Sequence, residues 1–346
     1  MGVLLRLLGL LALGLCLSFG GCENQGSQPD SLGGVGEILV VGDPDLWNGN
    51  LGVLLRKTLS SEQIGLPQAE PWFKLIPVQD LGANKFQKRH RLIFHWVAAD
   101  NFSELPHEIQ KEAELALSRQ NVYTRCVLNS QAYPQREVWL VAKNVEFLKS
   151  YLLSNKSSLL QYFLDLDQQL ILARLDRLNQ ADSLVSMIQD SVGIPLKTLP
   201  GDYRLKVLRQ SFAWISKEIP GGSMNIVLWK NKMGSQSIQG AEAVQRDRDT
   251  VLARCIPGPT EGSYYLTEYL IPPLSIYKAN TGWHVRGLWK IEGDFMGGPF
   301  VHRSWLREGV AYHAEAFVYA PNEPKRAWLR ELEALLTSMV SVESSK

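Results

Sequence analysis

From Tyr203 to Tyr319 the chain passes through one β-rich run after another, and this succession constrains the fold more than any other feature. Tyr203 to Lys217 and Met224 to Lys230 come first. After a helical stretch over Ile238 to Cys255 follow Ser263 to Leu270, Leu274 to Lys278, Trp283 to Ile291, Phe300 to Leu306 and Val310 to Tyr319. Strands joined by short turns pair antiparallel, so this part reads as an antiparallel sheet. Arg307-Glu308-Gly309 supplies a hairpin turn, with Gly309 free to adopt a positive φ. A two-residue turn at Glu308-Gly309 sets His302 opposite Glu315. A three-residue turn sets Arg303 opposite His313 instead.

The earlier part alternates. Glu37-Ile-Leu-Val-Val-Gly-Asp43 is a compact strand, and Asp43-Pro44-Asp45 looks like a helix start, with Asp capping and Pro in the first turn. Leu46, Leu51, Leu54, Leu55 and Leu59 fit a helix that Gly65-Leu66-Pro67 ends. Trp72 to Pro77 and Arg91 to Val97 read as strands, Ser103 to Arg119 as a helix capped by Ser103, and Glu137 to Ala142 as another strand. This order matches a split βαβ, ferredoxin-like arrangement. Residues 145–192 then show helical spacing at Leu159, Phe163, Leu166 and Leu170. The last helix places Trp328, Leu332, Leu335, Leu336 and Met339 on one face. The expected class is α+β, with antiparallel sheets packed by helices on one face and two ferredoxin-like halves (residues 37–143 and 201–346) joined by a helical connector over 144–200, the halves being free to form one body. A strand, a helix and then an aromatic strand recur in each half, which suggests a distant duplication.

The first residues, MGVLLRLLGLLALGLCLSFGGC, have a different purpose. Arg6 gives a positive start, and Leu7 to Phe19 is apolar but too short to span about 30 Å of hydrocarbon comfortably. Gly20 and Gly21 lead into Cys22. This resembles a lipobox, so residues 1–21 read as a lipoprotein signal peptide and Cys22 as the acylated N-terminus of the mature chain, held to a bilayer by its acyl chains. Phe19 departs from the usual Leu of that motif. Residues 22–36 are polar and Gly-rich, as in a flexible tether. Glu23 is not the Asp that retains lipoproteins in the inner membrane, so an outer-membrane location is expected. No acidic run follows Cys22 of the kind that directs some lipoproteins to the cell surface.

Composition sharpens the exclusions. The 346 residues carry 36 Lys+Arg against 35 Asp+Glu, and 45% are hydrophobic. Disorder is excluded by that hydrophobicity, and nucleic acid is disfavoured because phosphate binding needs a basic excess. Loss of Arg6 with the signal peptide brings the side-chain charge to balance. No second long apolar run follows the N-terminus, which argues against a multi-span membrane protein.

Several residues invite functional readings, each with a plainer alternative. In Gly293-Asp294-Phe295-Met296-Gly297-Gly298-Pro299 the glycines permit close approach by a ligand, with Asp294, Met296, Gly297 and Gly298 as binding candidates. Equally, Asp294 can bond turn amides in a tight sheet connection. The spacing is not that of a nucleotide-binding loop. Arg246 and Asp249 share a helical face at i,i+3, where they pair or where Arg246 grips a carboxylate or sugar phosphate. Arg303 and His302 lie beside the last hairpin, where a His–carboxylate pair can do acid/base work or can form a surface cross-strand pair. Cys126 and Cys255 either form a disulfide, worth about 4–5 kcal/mol in the loop-entropy picture, or remain separate buried thiols. No Cys or His spacing indicates a metal, and no cofactor is expected. The ten tryptophans are spread through almost every element, as core anchors would be.

Taken together, Gly287-Leu-Trp-Lys-Ile-Glu-Gly-Asp-Phe-Met-Gly-Gly-Pro-Phe300, Phe317-Val-Tyr-Ala-Pro321 with Lys325-Arg326, Arg246 to Asp249 with Ile256-Pro-Gly258, Phe212-Ala-Trp214-Ile215, Glu37-Ile-Leu-Val-Val with Leu46-Trp47, Leu66-Pro67-Gln68 and Glu70-Pro71 give the chain a family likeness. It resembles the lipoprotein family of the phylum Bacteroidota catalogued as domain of unknown function 4837, over nearly the whole mature chain. That resemblance implies an envelope lipoprotein and supplies no catalytic residues, because the family's own function is uncharacterised. The expected function is a non-enzymatic binding or assembly lipoprotein whose partner is an envelope protein or a cell-wall glycan. The rival is an enzyme acting on envelope glycans or peptides, with Asp294, His302, Arg303 and Arg246 in one cleft. A third reading has the segment from Val145 to Val192 contact a partner through an exposed apolar stripe.

Overall fold

A computed structural model describes residues 28–82, 84–98, 105–231, 240–270, 275–279 and 282–340. Cys22, the expected signal peptide and most of the expected tether lie outside the described residues. The class is α+β, with 35% helix and 35% strand. The chain divides into two compact units: residues 38–54 and 75–155 with the preceding N-terminal stretch, and residues 34–37, 55–74 and 156–346. No helix among the described residues is long and apolar enough to cross a membrane.

The first unit is built on a five-stranded sheet of β1 (Glu37–Val41), β2 (Lys74–Val78), β3 (Leu92–Ala98), β4 (Val122–Leu128) and β5 (Arg136–Ala142), in the order β2-β1-β3-β5-β4. β1 pairs parallel with β3, β3 parallel with β5, and β4 antiparallel with β5. This corrects the ferredoxin-like expectation, which requires antiparallel neighbours. The continuous apolar runs of β1 and β3 give the physical reason. A strand buried on both faces loses the alternation of a half-exposed antiparallel strand, and six of the seven residues of β3 are buried. β4 escaped the sequence reading because Thr124 and Arg125 interrupt its apolar pattern. The helices are α1 (Pro44–Asn48), α2 (Asn50–Leu59), α3 (Lys85–Lys88), α4 (His107–Leu117) and α5 (Val145–Ser154). Asp43 caps α1 as expected, its Oδ1 accepting from the Asp45 amide at 2.7 Å. Ser103 lies outside the described residues, and α4 begins with Pro106 at its N-cap and no side-chain cap. Ile109, Ala113 and Leu117 of α4 pack on Tyr123, Trp139 and Val141.

The second unit holds an eight-stranded antiparallel sheet. Its strands are β6 (Arg204–Arg209), β7 (Phe212–Ile219), β8 (Gly222–Asn231), β9 (Tyr264–Thr267), β10 (Ser275–Ala279), β11 (Gly282–Glu292), β12 (Gly297–Arg307) and β13 (Val310–Tyr319). The order is β10-β11-β12-β13-β8-β7-β6, with β9 also paired to β11. The expected antiparallel sheet is therefore present here. Helices cover both of its faces, not one. On one face the even positions of β13 pack with α6 (Lys156–Leu175), α7 (Asp182–Val192) and α9 (Arg326–Val340). On the other, Phe317, Trp229 and Phe300 pack against Val244 and Leu252 of α8 (Ala241–Cys255). The span 144–200 is no separate connector, because α5 belongs to the first unit and α6 and α7 to the second. The two sheets differ in strand order and direction, and they do not repeat one topology.

All ten tryptophans are buried or half-buried. Within 145–192 the exposed apolar side chains Val145, Leu153, Leu178 and Met187 are scattered over α5, the turn after α6, and α7, and do not form one stripe. Cys126 on β4 belongs to the first unit and Cys255 at the end of α8 to the second, and both are half-buried. Cys255 packs against the cluster around Val244 and Leu252.

Candidate functional site

In the first unit the chain leaves β1 toward β2 on one side, and leaves β3 toward β4 on the other. The carboxyl ends of β1 and β3 therefore diverge, and such a switch point leaves a crevice where open α/β sheets bind ligands. A cleft of 890 Å³ lies there, reaching from the ends of β1 and β3 and the start of α4 across the sheet face to β5. Gly42 is required at the β1 exit, since a Cβ there would sit 2.4 Å from the Trp96 ring.

His95 and Glu137 lie in the lining. The parallel register sets His95 beside Trp139, and their rings stack with centroids 3.6 Å apart and 4° between planes. Glu137 lies two residues before Trp139 on the same face, and its Oε1 is 2.8 Å from His95 Nε2. Ser130 donates to Glu137 Oε2 at 2.8 Å. Burial drives His95 below its ordinary value despite the neighbouring carboxylate. Burial alone would raise Glu137, but the His95 and Ser130 hydrogen bonds hold it below the usual carboxylate range. At neutral pH the ring is therefore neutral, donates from Nε2 to an anionic Glu137, and carries a lone pair on Nδ1. A nitrogen held in this way can accept a hydrogen bond or a proton from a ligand hydroxyl or amine. Ser130 bonds to Glu137 and not to His95, so the trio is not a serine nucleophile with its base. Asp43, Asp80, Glu108 and Glu137 face a single lysine, Lys88, in the lining. That balance disfavours anionic ligands.

The second unit contains a buried polar chain where α8 meets the sheet. Arg248 is completely buried and makes two hydrogen bonds to Glu315, Nε to Oε2 at 2.5 Å and Nη2 to Oε1 at 2.6 Å. Tyr265 donates to Glu315 Oε1 at 2.8 Å, and His302 Nδ1 lies 3.2 Å from Oε2. The guanidinium sits 3.6 Å from the Phe300 ring centroid. Burial would raise Glu315, yet the Arg248 charge and the His302 contact hold it below its ordinary value. The chain continues from His302 Nε2 to His313 Nδ1 at 3.5 Å, and from His313 Nε2 to Asp247 Oδ2 at 3.5 Å. Trp229 stacks on His313 at 4.8 Å and 3°, and its Nε1 donates to Asp247 at 3.3 Å.

The candidates read from sequence are dispersed around this chain. The hairpin register has His302 opposite Glu315, through a two-residue turn in which Glu308 and Gly309 take φ of 51° and 76°. That pair is entirely buried, not at the surface. Arg246 and Asp249 do not pair. Arg246 is solvated and lies 3.5 Å from Glu242, while Asp249 accepts from Arg248 and Thr267 at 2.7 Å each. Arg303 lies opposite His284 and on the other sheet face from its neighbour His302. Asp294 Oδ1 accepts from the amides of Phe295 and Met296 in the β11–β12 turn. A Cβ on Gly297 would lie 2.8 Å from the Trp289 carbonyl oxygen, and one on Gly298 would lie 2.2 Å from the Val318 carbonyl oxygen. The glycines thus serve strand packing. Asp294, His302, Arg303 and Arg246 do not converge in one cleft. Arg248 was the missed residue, and a signal existed: Val244, Arg248 and Leu252 recur at i,i+4 on the apolar side of the helix. His95 and Glu137 carried no comparable signal, because parallel pairing brings them together from 42 residues apart.

Residues 31–176 match the family model described as Domain of unknown function (DUF8532), and residues 181–338 match the one described as Domain of unknown function (DUF4837). No curated protein matches the chain. The similarity carried by the Gly293–Phe300 block therefore extends over residues 181–338 rather than nearly the whole chain, and the segments from Glu37 to Pro71 lie within the other match: the C-terminal part of this chain is similar to the family of unknown function DUF4837.

Proposed function

We propose that this chain is a lipid-anchored cell-envelope protein that binds a non-anionic cell-wall component in the cleft at the ends of β1 and β3. The observation that carries the binding reading is the His95–Glu137 pair, which presents a neutral imidazole acceptor in an acid-rich cleft. Hydroxyl-rich fragments of the wall fit that chemistry. Phosphates and nucleic acid do not. The anchor reading rests on the Cys22 motif, the following tether and the absence of an electrostatic excess for docking to anionic lipid.

Two measurements test it. Cys22→Ala abolishes incorporation of labelled palmitate and releases the protein from membranes; persistent labelling refutes the anchor. Neutral N-acetylhexosamine oligosaccharides added to the purified protein perturb NMR signals of His95 and Trp139, and His95→Ala removes the response. Unperturbed cleft signals across the panel refute the binding site. The His95–Glu137 pair also favours a second reading, an enzyme acting on the same glycans or peptides with His95 as general base. Product formation that disappears in Glu137→Gln selects that reading.

A further inference from the structure

The contacts from Glu315 through His302 and His313 to Asp247 can be counted in hydrogens. There are three contacts, and each needs one hydrogen between its two heteroatoms. Two neutral imidazoles bring two. The count is the same in every tautomer. If both rings carry hydrogen on Nδ1, the Glu315–His302 and His302–His313 contacts are filled and His313 Nε2 faces Asp247 with a bare lone pair. If His313 carries it on Nε2, its Nδ1 meets the bare Nε2 of His302. Among the described residues, His313 Nε2 is in fact buried with no hydrogen-bond partner, 3.5 Å from Asp247 Oδ2. Leaving such a buried group unsatisfied is unfavourable.

We propose that Asp247 and His313 together bind one additional proton, at the accessible end of a buried relay that leads to Glu315, and that this proton fastens α8 to the sheet. The Asp247 carboxyl keeps 19% exposure while His313, His302 and Glu315 keep none, so protons enter there. Glu315 is not the site, because the Arg248 cation binds both of its oxygens, whereas Asp247 accepts from the neutral Trp229 indole and from the neutral Asn231 amide at 2.8 and 2.9 Å. The surrounding titratable and charged groups are Arg248 and Asp249 on α8, His302 on β12, Glu315 on β13, Tyr265 on β9 and His284 on β11. Arg248 is spent on Glu315 and Asp249. Burial raises Asp247 above the ordinary carboxylate range and drives His313 well below its own. The proton therefore resides on Asp247 Oδ2 and is donated to His313 Nε2. This inference is independent of the cleft in the first unit.

The test is imidazole ¹⁵N NMR of the full-length protein from about pH 5 to 9. His313 Nε2 is expected to move from a bare, pyridine-like shift at high pH to a hydrogen-bonded shift at lower pH, in one step with Asp247 protonation. Amides of α8 lose about fivefold to tenfold of their exchange protection above that step, as for one lost hydrogen bond. In Asp247→Asn the side-chain amide donates permanently to His313 Nε2, and the step disappears. A His313 Nε2 that stays pyridine-like throughout, or a step that survives in Asp247→Asn, overturns the proposal. The wild-type spectrum decides alone if the variant does not fold.

Discussion

The indole of Trp289 lies against Gly298 of the adjacent strand and reaches past it to donate to the Val318 carbonyl at 3.2 Å, one strand further on. A side chain at position 298 would occupy that path. Gly298→Ala is therefore expected to destabilise the second unit by about 1–3 kcal/mol through overpacking. The urea midpoint checks it, and an unchanged midpoint contradicts this role for the glycine.

Arg248 and Glu315 are both buried, and neither charge is tolerable without the other. Arg248→Met alone should cost about 3–5 kcal/mol, because it strands the Glu315 carboxylate. Arg248→Met combined with Glu315→Leu should recover much of that loss. A double variant as unstable as the sum of its parts would mean that packing, not charge, dominates the site.

His95 gives the first unit an acid sensitivity of defined sign. Burial depresses its folded-state pKa below the ordinary 6.5, so below that pH the unfolded chain binds more protons than the folded one. Stability is then lost as pH falls from 6.5 toward the depressed folded value. Hydrogen exchange of β3 and β5 amides should accelerate over that interval, and His95→Gln should flatten the dependence.

How much of this was legible beforehand follows from which contacts are local. The sequence narrowed the last hairpin to two registers, one of them His302 against Glu315, because Arg307-Glu308-Gly309 sets the turn within a few residues. The cap at Asp43 and the apolar face of α9 were local patterns as well. The parallel pairing of β1, β3 and β5 was marked only by the continuous apolar runs of β1 and β3, and which strands pair depends on long crossovers that no short pattern reveals. Arg246 was singled out and Arg248 overlooked because alternating charges suggest a solvated helix face, whereas position 248 is set by its spacing from Val244 and Leu252.

The cysteines give a simple chemical check. Alkylation without reductant should modify both Cys126 and Cys255, as read by mass spectrometry. Cys255 should react more slowly than an ordinary thiol, since burial pushes its pKa up. A mass two hydrogens lighter, with both residues unmodified, contradicts two separate thiols.

The pairing of β8 with β13 joins Ser223 to Tyr319 and Asn231 to Ala311. The middle of the larger sheet is therefore closed by the strand that comes last in chain order among those of the sheet. Until Val310 to Tyr319 has emerged, Trp229, Ile226 and Leu228 have no neighbour on that side. Loop-closure entropy over so many residues makes this step slow. Folding of the second unit is thus obligatorily late, and a chain ending before Val310 should be a substrate for chaperones and proteases rather than a smaller version of the same fold.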